Sequence, residues 1–159
     1  MSRRAGPRPT RKPVVTLAHL AATRIETTAE FAFAQLSDVA AIGKWALGSM
    51  NFRSTSLPEV WQGRSMFDGS DCFMEIRAYP ELGLIDYHVG SVELRVPRIS
   101  IRVTSGENWG IGDSACMVAM TTWRADAVDE AGWTRTCRMH DLEVLLFKAQ
   151  VETIWNATR

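Results

Sequence analysis

Residues 137–155, CRMHDLEVLLFKAQVETIW, carry the longest run of apolar side chains at helical spacing in the chain. Val144, Phe147, Val151, Ile154 and Trp155 follow one another at intervals of three, four, three and one, with His140 one turn earlier. Such spacing places them in one stripe along a helix. A helix with an apolar stripe has to cover an apolar surface. At 1.5 Å per residue the segment spans roughly 28 Å, the width of a small sheet. The remaining chain is therefore expected to supply a sheet with one apolar face.

The middle of the chain has the period of strands. Trp61, Gly63 and Ser65 alternate with Val60, Gln62 and Arg64; Asp68-Gly69 is a turn signal; Cys72, Met74, Ile76 and Ala78 then share one face. The same alternation returns in LIDYHVG, with Ile85, Tyr87 and Val89 on one parity, and in RISIRVTSG, with Ile99, Ile101 and Val103. One apolar and one polar parity is the mark of half-buried antiparallel strands. The loop GENWGIGD precedes SACMVAMTTW, a strand nearly apolar on both parities, and residues 125–133 read as an acidic connector.

Upstream, residues 14–27 are rich in Val, Thr, Leu and Ile without Gly or Pro, which predicts a first strand. Leu17 and Leu20 differ in parity, so a bulge or a section covered on both faces is expected there. Thr27 or Thr28 can cap a helix bearing Glu30, and Ser37-Asp38 can end it and cap a second one that closes between Gly43 and Gly48. A chain of 159 residues is enough for one domain with a real core, and no apolar run approaches the roughly 18 residues a membrane span needs. One domain is expected over 14–159.

The net charge is zero but unevenly distributed. Arg3, Arg4, Arg8, Arg11 and Lys12 precede the first acid, Glu26; setting these five aside leaves thirteen basic residues against eighteen acids. An acidic body argues against nucleic acid as a partner. Residues 1–13 read as a solvated, disordered basic tail without the apolar core of a secretory signal. Cys72, Cys116 and Cys137 lack any zinc-ligand spacing and are odd in number, which points to a reducing cytoplasm, with no metal and no cofactor expected.

The order of one strand, two short helices with Trp45 near the second, an antiparallel meander and a long amphipathic terminal helix resembles the START-like, helix-grip superfamily, also called SRPBCC. Within it, RIETTAEFAFAQLSDVAAIGKWALG is similar to the opening of bacterial polyketide cyclase/dehydrase-like members. The resemblance covers nearly the whole chain from about Val14 to Trp155. It implies an α+β helix-grip fold: a curved antiparallel sheet of about six or seven strands wrapped around the C-terminal helix, with a cavity between them for an apolar or amphipathic small molecule.

Strand parity and the helix stripe select Met74, Ile76, Tyr87, Ile101, Met117, Phe147 and Val151 as inward-facing, either as plain core or as the lining of such a cavity. Met66 and Met120 carry the same two readings. Trp61 and Trp109 are candidates for the cavity mouth, with residues 106–112 as a lid. For catalysis the candidates are Tyr87 and His140, whose imidazole can orient a ligand oxygen or be a structural histidine. Asp86 and His88 share a strand face of the opposite parity and are expected to be wet, as are Glu75 and Arg77, the former within reach of Arg102 across the sheet. Cys72 and Cys116 read as small buried hydrophobes. GENWGIG does not lead from a strand into a helix, so it is not a dinucleotide loop.

Three functional expectations follow. The first is binding of a small hydrophobic or amphipathic ligand, lipid-, aromatic- or polyketide-like. The second is a cyclase or dehydratase, a lyase or isomerase without metal, that works largely by positioning its substrate. The third is an interaction module using the convex sheet face, a homodimer included.

Overall fold

The first strand, β1 (Ala18–Ile25), forms one edge of a seven-stranded antiparallel sheet in the computed structural model, which describes residues 17–159. The expected tail over 1–13 and the start of the first strand at 14–16 lie outside the described residues. β1 pairs without interruption from Ala18 opposite Trp123 to Ile25 opposite Cys116. The expected bulge is therefore absent, and Leu17 and Leu20 differ in parity because both are exposed rather than doubly covered.

Two helices follow, each started by the residue the sequence nominates. The Thr28 hydroxyl accepts the Phe31 N–H at the head of α1 (Ala29–Ser37), and the Asp38 carboxylate accepts the Ala40 N–H at 2.9 Å to start α2 (Val39–Ile42). α2 is a single turn ending at Gly43, and the chain then brings Trp45 inward, 5% exposed.

Strands β2 (Ser49–Ser54), β3 (Val60–Ser65), β4 (Asp71–Tyr79), β5 (Leu84–Gly90), β6 (Arg95–Ser105) and β7 (Cys116–Trp123) form the meander. The spatial order is β1-β7-β6-β5-β4-β3-β2. Strand β2 has no clear alternation in its sequence because its pairing with β3 shifts register between Met50 and Arg53, around Asn51 at a φ of 57°. Between β4 and β5 a single 3-10 turn, 80–82, ends at Gly83 in the left-handed region. A Cβ there would lie 2.2 Å from the Val103 carbonyl oxygen, so both the conformation and the close strand approach require glycine.

Register decides which residues face inward. Met74, Ile85, Tyr87, Ile101, Val103, Cys116, Val118 and Met120 are buried on the concave face, together with Ala21 and Ile25 of β1. Across this face runs α3 (Glu130–Ala157). His140, Glu143, Val144, Phe147 and Val151 are its buried stripe, while Ile154 and Trp155 are half-buried. The helix begins seven residues before Cys137, so part of the expected connector is its first turn: the Asp129 carboxylate caps it, accepting the Gly132 N–H at 2.7 Å. We expect Asp129→Ala to lower stability by about 1 kcal/mol in denaturant unfolding, with Asp129→Asn close to wild type.

On the convex face, Glu75 pairs with Arg77 at 2.8 Å and lies 3.5 Å from Arg95; Arg102 is not its partner, contrary to the parity argument. Asp86 accepts a hydrogen bond from Ser100, and His88, expected to be wet, is buried at 8% exposure. The three cysteines are free thiols. No helix among the described residues is long and apolar enough to cross a membrane.

Candidate functional site

The N-terminal half of α3 does not fill the concave face completely. Beneath it, toward β2–β6, is a hollow of about 310 Å³ bounded by Trp45, Phe52, Met74, Val89 and Ile99. Its size is at the low end for small-molecule pockets, and its walls are apolar with a few polar groups. Phe67, 46% exposed, stands at its lip opposite Met139 and Thr136 of α3, and the Arg135 guanidinium lies 4.7 Å over the Phe67 ring.

The polar groups come from three elements. On α3, His140 and Glu143 are one turn apart, so both project from the buried stripe, and their closest approach is 3.6 Å. Burial pushes the His140 imidazole down to about 4, with the charges of His19 and Arg98 acting in the same direction. Burial raises the Glu143 carboxyl to about 7 against the opposing backbone N–H groups of Leu47 and Gly48. Both groups thus favour their neutral forms, and at 3.6 Å they are not hydrogen-bonded. Glu143 Oε1 accepts the Leu47 N–H at 2.6 Å, tying the segment after α2 to α3.

On β5, the Tyr87 hydroxyl donates to the Leu36 carbonyl of α1. Its proton is held there, and burial raises its pKa, so Tyr87 is a wall and a tether of α1 rather than a proton donor to the hollow.

The third polar group is Arg98 on β6. Arg98 and Ile99 are adjacent in sequence yet both line the hollow. A regular strand would point them to opposite faces. The register of β5 with β6 shifts between Tyr87, opposite Ile99, and His88, opposite Pro97, leaving Arg98 as the extra residue of a bulge that aims it inward. Thr122 fixes the bulge by donating its hydroxyl hydrogen to the Arg98 carbonyl at 3.1 Å. Three buried nitrogens around the hollow have no hydrogen-bond partner: Arg98 Nε, Trp45 Nε1 and His140 Nδ1. Among the described residues no group of three His, Cys, Asp or Glu side chains comes together as a metal-ligand set.

Of the residues expected to face a cavity, Met74, Tyr87 and His140 line this hollow. Ile101, Phe147 and Val151 are fully packed core, and Ile76 is partly buried against that core. Met117 is on the convex face, opposite Arg24, where it lines a separate shallow hollow with Arg102, Trp109 and Ile111. Trp109 and the segment 106–112 therefore flank the convex side and are neither mouth nor lid of the concave hollow. Trp61 pairs with Met74 but does not line it. Glu143 and Arg98 escaped the sequence reading. The spacing of three between His140 and Glu143, on a helix face that continues through Val144 and Phe147, was a usable signal for the first; the bulge that exposes the second has none.

No family model matches the chain, and no curated protein matches it in sequence. Solved structures match it in shape. A START superfamily protein from Mycobacterium smegmatis superposes with a TM-score of 0.63 over 87% of this chain and 99% of that one, at 11% identity. The Zhui aromatase/cyclase from Streptomyces sp. R1128 gives 0.62 over 85% and 93%, at 12% identity. The Aha1 dimer from Colwellia psychrerythraea gives 0.62 over 86% and 97%, also at 12% identity. At such identities the likeness is one of fold, and it agrees with the element order, the open curved sheet and the long terminal helix: the chain has the START-like helix-grip fold shared with aromatase/cyclase structures.

Proposed function

We propose that this protein binds a small apolar or amphipathic molecule in the hollow between the concave sheet face and the N-terminal half of α3. The observation that carries this reading is the hollow itself, about 310 Å³ bounded by Trp45, Phe52, Met74, Val89 and Ile99 in an otherwise packed core. Fold alone selects no ligand. The neutral fluorescent probe N-phenyl-1-naphthylamine should bind saturably with one site per chain. Thr136→Trp, at the lip, should weaken that binding about tenfold or more, while Thr121→Trp on the convex face leaves it unchanged. Absence of saturable binding, or equal loss in both variants, defeats the proposal.

A second reading, an enzyme of the cyclase or dehydratase type, is favoured by one observation: His140 and Glu143, both near neutrality in charge, stand 3.6 Å apart facing the hollow. Such a pair can hold and exchange a proton beside a positioned substrate. The two readings separate on whether ligand recovered after incubation is chemically altered. The Aha1 neighbour is a dimer by its own description, and a homodimer of this chain remains a proposal for concentration-dependent light scattering.

A further inference from the structure

We infer that the molecule held in the hollow is an organic acid, its carboxylate taken by Arg98 and its apolar body laid against Trp45, Phe52 and Met74. The inference rests on the binding reading above and adds the chemistry of the ligand's polar end.

The first ground is the unmet hydrogen bonding of the wall. Arg98 Nε and Trp45 Nε1 are obligate donors, without acceptor capacity, and both are buried with no partner. His140 Nδ1, also unpartnered, is a donor or an acceptor according to tautomer. These unmet donors show that the described residues supply no acceptors on this wall, which leaves the terminal nitrogens of Arg98 to a ligand that brings oxygens. A carboxylate has two oxygens and matches the fork of the two terminal guanidinium nitrogens.

The second ground is charge. No acidic side chain pairs with Arg98 among the described residues, and unlike exposed arginines that also lack one, such as Arg53, Arg64 and Arg102, it lines the hollow. An inward-facing guanidinium, partly desolvated and without a counter-ion, disfavours the empty site and favours an anion. The other titratable groups facing the hollow are Cys72, Tyr87, His140 and Glu143. Burial raises the Cys72 thiol and the Tyr87 hydroxyl, which stay neutral, as does His140; Glu143, its pKa raised to about 7 by burial, is protonated below that pH and sits at the Leu47 end, bound to that backbone N–H.

The third ground is that the inward aim of Arg98 is built into the backbone. It depends on a bulge in the β5–β6 pairing and on the Thr122 bond that holds the bulged carbonyl. Without the bulge the side chain would reach solvent on the convex face.

The test compares 2-naphthoate with its neutral methyl ester, by calorimetry at pH 6, on the wild type and on Arg98→Met and Arg98→Lys. The acid should bind at least about tenfold more tightly than the ester. Arg98→Met should remove that preference, so that acid and ester bind alike; Arg98→Lys should keep part of it, since it retains charge but not the planar fork. A wild type that binds the ester as well as the acid, or an Arg98→Met variant with undiminished acid binding, overturns the inference and leaves the binding reading intact. If neither compound binds and the neutral probe does not bind either, both fail. The wild-type ratio of acid to ester decides the matter even if a variant does not fold.

Discussion

Replacing Phe147 with alanine is expected to destabilise the protein by about 3–5 kcal/mol, enough to threaten folding of a domain whose total stability is of order 5–15 kcal/mol. Phe147 is fully buried at the middle of the α3 stripe. Its ring meets Trp45 edge-on at 5.7 Å between centroids, and Trp45 in turn meets Tyr87 edge-on at 6.3 Å. This row joins α3, the segment after α2, and β5. The truncation removes the transfer free energy of the ring and opens space that rigid neighbours cannot close. Because Trp45 also walls the existing hollow, Phe147→Ala would enlarge that hollow rather than create an isolated void. Urea unfolding should show a lower midpoint with an unchanged slope, and Phe147→Leu should recover most of the loss. A cost below about 1 kcal/mol would mean that α3 does not close the core.

Neutralising Glu143 and His140 separately should reveal two opposite pH dependences of stability that offset each other in the wild type. For Glu143 the folded state holds the proton up to about pH 7, whereas the unfolded chain releases it near 4.5. That group's contribution is complete below 4.5 and is lost as pH rises through 7. For His140 the folded state refuses a proton down to about pH 4, whereas the unfolded chain accepts one near 6.5. Its contribution is complete above 6.5 and is lost as pH falls through 4. Each shift is worth about 3 kcal/mol, and across the shared window from 4.5 to 6.5 the slopes are equal and opposite. Relative to wild type, Glu143→Gln should therefore gain stability as pH rises from 4.5 to 7, its amide oxygen still accepting the Leu47 N–H. His140→Asn should gain relative to wild type as pH falls from 6.5 to 4. Taking differences from wild type cancels the other carboxylates. Differences of the reverse sign would show a buried ion pair of imidazolium and carboxylate instead of two neutral groups.

How much of the site was legible depends on what each signal measures. The α3 stripe was readable because Val144, Phe147 and Val151 are local neighbours on a helix, and their burial needs only one covered face. Its beginning was not, because Gly132 and the acids around it resemble a linker until the Asp129 cap is seen. On β5 and β6 the inward parity of Ile85, Tyr87, Ile99 and Ile101 followed from clean alternation. On β7 parity failed: Met117 and Ala119 are apolar beneath Trp109 and Ile111 on the convex side, as Val118 and Met120 are apolar on the concave side. A strand covered on both faces carries no period-two signal to say which side is the core.

While the resemblance of the element order to the START-like superfamily supplied the helix-grip fold, local pattern alone determined the two capped helices, the antiparallel meander and the long terminal helix. These are properties of residues a few positions apart. Tertiary structure decided the rest: that β1 closes the sheet against β7, that Met117 faces outward, and that the hollow lies toward β2–β6 rather than along the whole of α3. It also turned Arg98 inward, because a one-residue shift between two strands reverses the face of a side chain while leaving its own sequence neighbourhood unchanged. Pairing register is a relation between distant segments, and the chemistry of this site depends on it.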